Sequence, residues 1–114
     1  QVAISSGILP ELGGKLQFEL GGLRESLKLY PQAVVEYLRV IYLYPEEKEL
    51  GYRARIQVAM IYEKQGKFMQ ALSLYKEVGR GSAKTYLRER AHTRLLSLQH
   101  RLKKKSVGAS ELRP

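Results

Sequence analysis

The sequence predicts an all-α fold in which antiparallel helix-turn-helix units repeat about twice and a C-terminal helix caps them. Along most of the 114 residues, apolar side chains recur at the three- and four-residue steps of one helix face. Glycine or proline stands where three of these periodic segments end. The segments "LYPQAVVEYLRVIYLYP" and "KFMQALSLYKEVGRGSA" also align without a gap at an offset of 38 residues. A fixed offset of this size is typical of repeat proteins.

Length and composition indicate a single domain. A chain of 114 residues, 44% of them hydrophobic, is long enough for one core. No stretch approaches the ~20 apolar residues that a membrane-spanning helix needs. The absence of cysteine excludes disulfides and thiolate chemistry and leaves the compartment open. Because the chain begins with Gln1 and shows no signal sequence, we expect it to be a segment of a longer protein.

Two helices form the first part of the predicted domain, which spans residues 11–102. Residues 1–10 lack periodicity and are expected to form an extension. The first helix contains glycines, each of which costs about 1 kcal/mol relative to alanine. The second begins at Tyr30, has a proline in its first turn and ends before Pro45. The two apolar stripes are Leu12, Leu16, Leu20, Leu23 and Leu27, then Ala33, Val34, Tyr37, Leu38, Ile41 and Tyr44.

Three further helices follow. The segment "GYRARIQVAMIYEKQG" is helical up to Gly66, which is placed as a left-handed cap, and the next helix starts at Lys67. A turn this short makes the two helices antiparallel. The last helix ends its stripe at Leu102, and the tail 103–114 is expected to be disordered. The stripes are Ala54, Val58, Ile61, Tyr62 and Gln65; Phe68, Ala71, Leu72, Tyr75 and Val78; and Leu87, Ala91, Leu95, Leu98 and Leu102.

The segment "YRARIQVAMIYEKQGKFMQALSLYKEV" resembles the tetratricopeptide repeat (TPR). That family has small residues where two helices cross, a glycine at the turn, and aromatic residues in the flanking holes. Two helices approach closely only where one offers a side chain as small as alanine or glycine. The positions that carry the resemblance are Ala59, Tyr62, Gly66, Phe68, Ala71 and Tyr75. The resemblance implies a TPR-like α-solenoid that acts as a protein-binding scaffold.

An earlier unit matches the family less fully, because Arg24 replaces the aromatic residue of its first helix and Lys28 replaces the turn glycine. The 38-residue spacing exceeds the family's usual length of about 34. In this it resembles the longer-loop repeats of bacterial cell-envelope proteins such as the Tol-Pal coordinator, which favours the periplasm or cell envelope over the cytoplasm. The positions that fit are Gly21, Tyr30, Ala33, Tyr37 and Pro45.

The chain offers no constellation for catalysis or cofactor binding. His92 and His100 lie eight residues apart, with no aspartate or cysteine to complete a metal site. The glycine pairs at 13–14 and 21–22 follow no strand and lack the Lys and Ser or Thr of a phosphate loop. Packing contacts or local weakness explain them better. We therefore expect neither an enzyme nor a metal or cofactor.

Binding of a protein or peptide partner is the function that the resemblance implies, within a larger protein or assembly. In the family it takes place on the concave surface formed by the first helix of each unit. Carried over position by position, that surface comprises Lys15, Phe18, Gly22, Glu25, Arg53, Ile56, Met60 and Glu63.

The charge distribution suggests a competing function. Residues 1–79 have ten Lys or Arg against nine Glu, a net charge of +1, whereas residues 80–114 have ten against two, a net charge of +8. A basic strip can bind the phosphates of nucleic acid or an anionic membrane in a salt-sensitive manner. However, no aromatic residue follows Tyr86 to stack on bases. The strip consists of Arg88, Arg90, Arg94, Arg101, Lys103, Lys104 and Lys105.

The N-terminal end is apolar and glycine-rich, with no polar cap in front of it. Repeats contact only their neighbours, and end units need polar outer faces. We therefore expect either upstream repeats of a longer chain or a second copy to cover this end. The candidate self-association residues are Ile4, Ile8, Leu9, Leu12 and Leu16.

Overall fold

The protein is a bundle of five α-helices. The computed structural model describes residues 10–82 and 84–111, and the side chains of residues 12–82 and 84–105. Each helix packs against the next, and α3 also contacts α1 and α5. No strand occurs in the described part of the chain, which confirms the all-α class. The helices are α1 (Pro10–Ser26), α2 (Tyr30–Leu43), α3 (Lys48–Lys64), α4 (Phe68–Gly81) and α5 (Thr85–Glu111).

The helix bounds repeat at the offset seen in the sequence. Adding 38 to the bounds of α1 (10 and 26) gives 48 and 64, the bounds of α3. Adding 38 to the bounds of α2 (30 and 43) gives 68 and 81, the bounds of α4. We call α1–α2 the first unit and α3–α4 the second unit. The fold is therefore helical and repeat-like.

The turns inside the two units also match. Lys28 and Gly66 are 38 residues apart, and both adopt a left-handed backbone, with φ of 61° and 76°. The following residue closes each turn, since the Leu29 amide donates to the Arg24 carbonyl at 2.9 Å and the Lys67 amide donates to the Tyr62 carbonyl at 2.8 Å. These are the bonds of a Schellman C-cap. Lysine at position 28 thus takes a conformation that glycine adopts with less strain.

Small residues let the helices approach, as the sequence predicted. Ala33 and Ala71 are fully buried, as are Tyr37 and Tyr75 four residues later on α2 and α4. On α1, a Cβ at Gly21 would come within 2.7 Å of the Tyr37 ring. The glycines of α1 therefore include real packing contacts, and the first helix forms despite its glycine content.

Helix α5 corresponds to the first helix of a unit, but at an offset of 37. Its connection to α4 is one residue shorter, because α4 ends at 81 and α5 begins at 85, whereas α2 ends at 43 and α3 begins at 48. At this offset Leu50, Ala54, Val58 and Ile61 match Leu87, Ala91, Leu95 and Leu98. The first set packs on α2 and the second set packs beside α4 in two core clusters.

Two predicted boundaries differ from the structure. Helix α3 begins at Lys48, three residues before the predicted Gly51, because Lys, Glu and Leu are good helix formers once the turn after Pro45 is complete. Helix α5 continues to Glu111, so the segment 103–111 is helical and not disordered. Lysines are strong helix formers and are favourable toward a helix C-terminus. Residues 1–9, most of the predicted extension, lie outside the described part.

Candidate functional site

Helices α1, α3 and α5 line a groove with a volume of about 480 Å³. Its floor is apolar, because Ile56 and Leu87 are buried beneath it. Phe18 adds an aromatic ring, which meets the Tyr37 ring edge-on with centroids 5.3 Å apart. The lining residues are Phe18, Gly22, Glu25, Ser26, Tyr37, Arg53, Ile56, Gln57, Lys64, Tyr86, Leu87 and Arg90.

Basic side chains occupy one matching position on all three groove helices. Lys15 plus 38 gives Arg53, and Arg53 plus 37 gives Arg90. The guanidinium of Arg53 lies 4.8 Å from the centre of the Phe18 ring. Arg53 and Arg90 are both exposed, and neither forms an ion pair with a carboxylate of the described residues. The groove therefore combines an apolar floor with cationic groups that the fold does not neutralise.

The structure brings only some of the predicted partner-binding residues together. Phe18, Glu25, Arg53 and Ile56 line the groove, as does Gly22. Ile56 is only 2% exposed, so it is a core residue that a partner would meet at the groove floor. Three predicted residues do not line it: Lys15 is exposed on α1, Met60 packs against the core, and Glu63 faces α5.

Glu63 is held inside the fold by three side chains. The Tyr75 hydroxyl donates a hydrogen bond to its carboxylate. Arg94 donates to the Tyr75 hydroxyl at 3.1 Å and lies 3.8 Å from the carboxylate. Arg101 donates to the other carboxylate oxygen at 2.5 Å. This cluster ties α3 and α4 to α5, and we call it the second staple because its glutamate and tyrosine belong to the second unit.

A first staple lies at the matching positions of the first unit. The Tyr37 hydroxyl donates to the Glu25 carboxylate at 2.8 Å, and Gln57 donates to it at 3.2 Å. The Lys64 ammonium lies 3.9 Å from the same carboxylate. Gln57 plus 37 gives Arg94, and Lys64 plus 37 gives Arg101. Each staple therefore joins one unit to the next odd-numbered helix, with more positive charge in the second staple.

The two staple tyrosines remain hydrogen-bond donors. Burial raises the pKa of the Tyr75 hydroxyl well above its usual value, and the hydrogen bond to Glu63 raises it further. Burial likewise raises the pKa of Tyr37, with a second contribution from its bond to Glu25. Both hydroxyls thus keep their protons at neutral pH and act as structural donors.

The predicted basic strip is divided in the structure. Arg94 and Arg101 belong to the second staple. Arg88 donates to the Ser82 carbonyl at 2.8 Å and to the Thr85 hydroxyl at 3.2 Å, so it ties the start of α5 to its connection. The lysines that remain exposed follow the staple on α5: Lys103, Lys104 and Lys105.

Of the predicted self-association residues, Leu12 and Leu16 lie on α1 and are exposed. Ile4, Ile8 and Leu9 lie outside the described residues. No group of three potential metal ligands occurs among the described side chains. None of the described helices has the length and apolar character to span a membrane.

Sequence reasoning missed the contribution of α5 to the groove, namely Tyr86, Leu87 and Arg90. The signal was present at the offset of 37, where Arg53 matches Arg90 and Leu50 matches Leu87. At an offset of 38 these residues of α3 and α5 do not align, so the correspondence is not seen. Comparison with protein-family models, curated proteins and solved structures gives no match to this chain.

Proposed function

We propose that the chain is a non-catalytic, TPR-like interaction module that holds a segment of a partner protein in the groove, as part of a larger protein or assembly. The observation that carries the proposal is the convergence of Arg53 and Arg90 above the floor formed by Ile56 and Leu87. Neither arginine is needed for an ion pair among the described residues, whereas Glu63, Arg94 and Arg101 are committed to the second staple.

The groove favours a segment with an acidic side chain beside an aliphatic or aromatic one. Arginine binds carboxylates through two parallel hydrogen bonds, which gives it geometric selectivity. Tyr86 stands half-exposed at the rim, with its hydroxyl donating to Glu49. Tyrosine and arginine are the residue types that most often dominate the energy of protein interfaces.

Panning a displayed random-peptide library on the purified chain tests the proposal. We expect enriched peptides to place Asp or Glu next to an apolar residue, and to lose more than about tenfold in affinity for an Arg53→Glu, Arg90→Glu variant. The matched control is Lys103→Glu, Lys104→Glu, which lowers the net charge from +9 to +5 just as the groove variant does. Peptides that bind both variants equally, or no enrichment at all, would contradict the proposal.

The alternative is binding of nucleic acid or an anionic membrane through the exposed lysines on α5. The observation in its favour is that Lys103, Lys104 and Lys105 are adjacent and exposed. Counterion release predicts weak and strongly salt-dependent affinity for a single-stranded oligonucleotide or for anionic vesicles. The same two variants separate the functions, because this alternative requires the lysine variant, and not the groove variant, to lose binding.

A further inference from the structure

The outer side of α1 presents a row of leucines to solvent. Leu12 is 44% exposed, Leu16 58%, Leu23 56% and Leu27 61%, and Leu20 is partly exposed. Large apolar residues aligned on one exposed helix face mark an interaction surface more often than scattered ones do. We call these five residues the leucine face. It is separate from the groove, which α1 borders through Phe18, Gly22 and Glu25.

The leucine face matches an interface that the chain already forms within itself. Subtracting 38 from Leu50, Ala54, Val58 and Ile61 gives Leu12, Leu16, Leu20 and Leu23. On α3 this set packs against α2, and the corresponding set on α5 packs beside α4. The same positions are thus covered by an adjacent helix on α3 and α5 but exposed on α1.

We infer that a second copy of this chain covers the leucine face, with α1 pairing antiparallel to α1 of the partner copy. The leucines are self-complementary in that arrangement. Leu12 lies opposite Leu27 and Leu16 opposite Leu23, because both pairs sum to 39, and Leu20 falls near the two-fold axis. A two-fold interface uses the same patch on both copies.

The orientation agrees with the internal interface. Helices α2 and α3 are joined by a short connection and pack against each other, which makes them antiparallel. An antiparallel α1 from a second copy therefore takes the place on α1 that α2 takes on α3.

Charge also favours meeting at this end of the molecule. Residues 10–26 have three glutamates against Lys15 and Arg24, a net charge of −1. Residues 85–105 on α5 have seven basic residues against one glutamate, a net charge of +6. Two copies that join through α1 keep their basic helices apart, which limits the repulsion expected for a chain of net charge +9.

Sedimentation equilibrium of the full chain tests the proposal. We expect a monomer–dimer equilibrium with a dissociation constant on the order of 100 μM, as suits a small apolar interface. Leu16→Glu should weaken the dimer by more than about tenfold, because it places a charge opposite Leu23 of the other copy. Leu96→Glu on α5 is the matched control, since Leu96 is 51% exposed and the change in charge is the same.

A cross-linking experiment fixes the arrangement, since the chain has no cysteine of its own. A short bis-maleimide should link the cysteine of the Leu20→Cys variant to the same cysteine in the second copy, whereas it should not link two copies of the Leu96→Cys variant. A mixture of Leu12→Cys and Leu27→Cys should cross-link better than either variant alone. Circular dichroism confirms that each variant is folded. A monomer at millimolar concentration, a dimer unaffected by Leu16→Glu, or cross-linking through Leu96→Cys would overturn the proposal, and none of these results bears on the groove.

Discussion

The first unit and the second unit have the same turn hydrogen bonds and helices of the same lengths, yet several side chains at matching positions differ. The turn residue is Lys28 in one and Gly66 in the other. The residue where the helices cross is Gly21 in one and Ala59 in the other. The repeat is therefore conserved as geometry, a tight crossing and a left-handed turn, and each unit meets that geometry with different residues.

The staples show the consequence most clearly. Glu25 is held by Tyr37, neutral Gln57 and a distant Lys64. Glu63 is held by Tyr75 and two arginines. Both carboxylates accept charge-assisted hydrogen bonds, but Glu63 also accepts one from a cationic donor, Arg101, whereas the donors to Glu25 are neutral. The second staple therefore ties its unit to α5 more firmly than the first staple ties its unit to α3.

The largest expected effect comes from overfilling the shared helix crossing. Ala71 is fully buried in the same core cluster as Ala59, and a larger side chain would separate α3 from α4. We expect Ala71→Leu to lower the free energy of unfolding by about 1 to 3 kcal/mol. Ala33→Leu in the first unit should act in the same direction. Denaturant unfolding measures both, and an unchanged midpoint for Ala71→Leu would show that the crossing is not tight.

The crossing residues also show how far sequence reasoning reaches. Sequence patterns predicted the stripes of α2 and α4, the turn at Gly66 and the prolines bordering α2. They could do so because apolar periodicity and backbone restrictions are local properties. The direction in which a stripe points is not local. The leucines of α1 form as regular a stripe as those of α5, but the α1 stripe faces solvent, since no helix of the described chain lies on that side.

The staples could not be predicted for a related reason. Glu25 and Glu63 were predicted to bind a partner because they project from the first helix of each unit, which the resemblance associates with binding. Glu25 is bound by side chains of α3, and Glu63 is bound by the matching side chains of α5, which lie 37 residues further along the chain. This offset differs from 38 only because the connection from α4 to α5 is one residue shorter than the connection from α2 to α3. A difference of one residue rotates a helix by about 100°, so a single offset cannot place the side chains of α5.

Removing each staple should reveal the difference between the units. We expect Glu63→Ala to cost about 2 kcal/mol of unfolding free energy, because the buried Tyr75 and Arg101 lose their hydrogen-bond acceptor and Arg94 loses its ion-pair partner. Glu25→Ala should cost about 1 kcal/mol, since its partners are neutral or distant. Glu89→Ala, at an exposed position on α5, is the control. Equal costs for the two staple variants would remove the distinction drawn between them.

Substitution of the turn residue should stabilise the protein in the first unit and destabilise it in the second unit. Lys28→Gly relieves a left-handed conformation that a lysine adopts with strain, so we expect it to raise the free energy of unfolding by roughly 0.5 to 1 kcal/mol. Gly66→Lys should lower it by about the same amount. Lys28→Ala keeps the strained backbone and separates this effect from the loss of a charge. If Lys28→Ala stabilised the protein as much as glycine does, the backbone would not be the cause.

The smallest expected effect concerns the part of α5 that has no counterpart in either unit. At the offset of 37, α3 ends opposite residue 101, and the partly buried Leu102 is the last of the described side chains that packs against the core. The three lysines that follow are exposed. Deleting residues 103–114 should therefore leave the free energy of unfolding within about 0.5 kcal/mol of the full chain, as is usual for exposed positions. Helicity measured by circular dichroism should fall only by the share of the removed residues, while the unfolding transition keeps its midpoint and its steepness.

A truncation ending at Ser97 is the destabilising counterpart, because it also removes the buried Leu98 and the staple residue Arg101. A large loss of stability on deleting 103–114 alone would mean that the end of α5 packs against the units, and that the domain extends beyond Leu102.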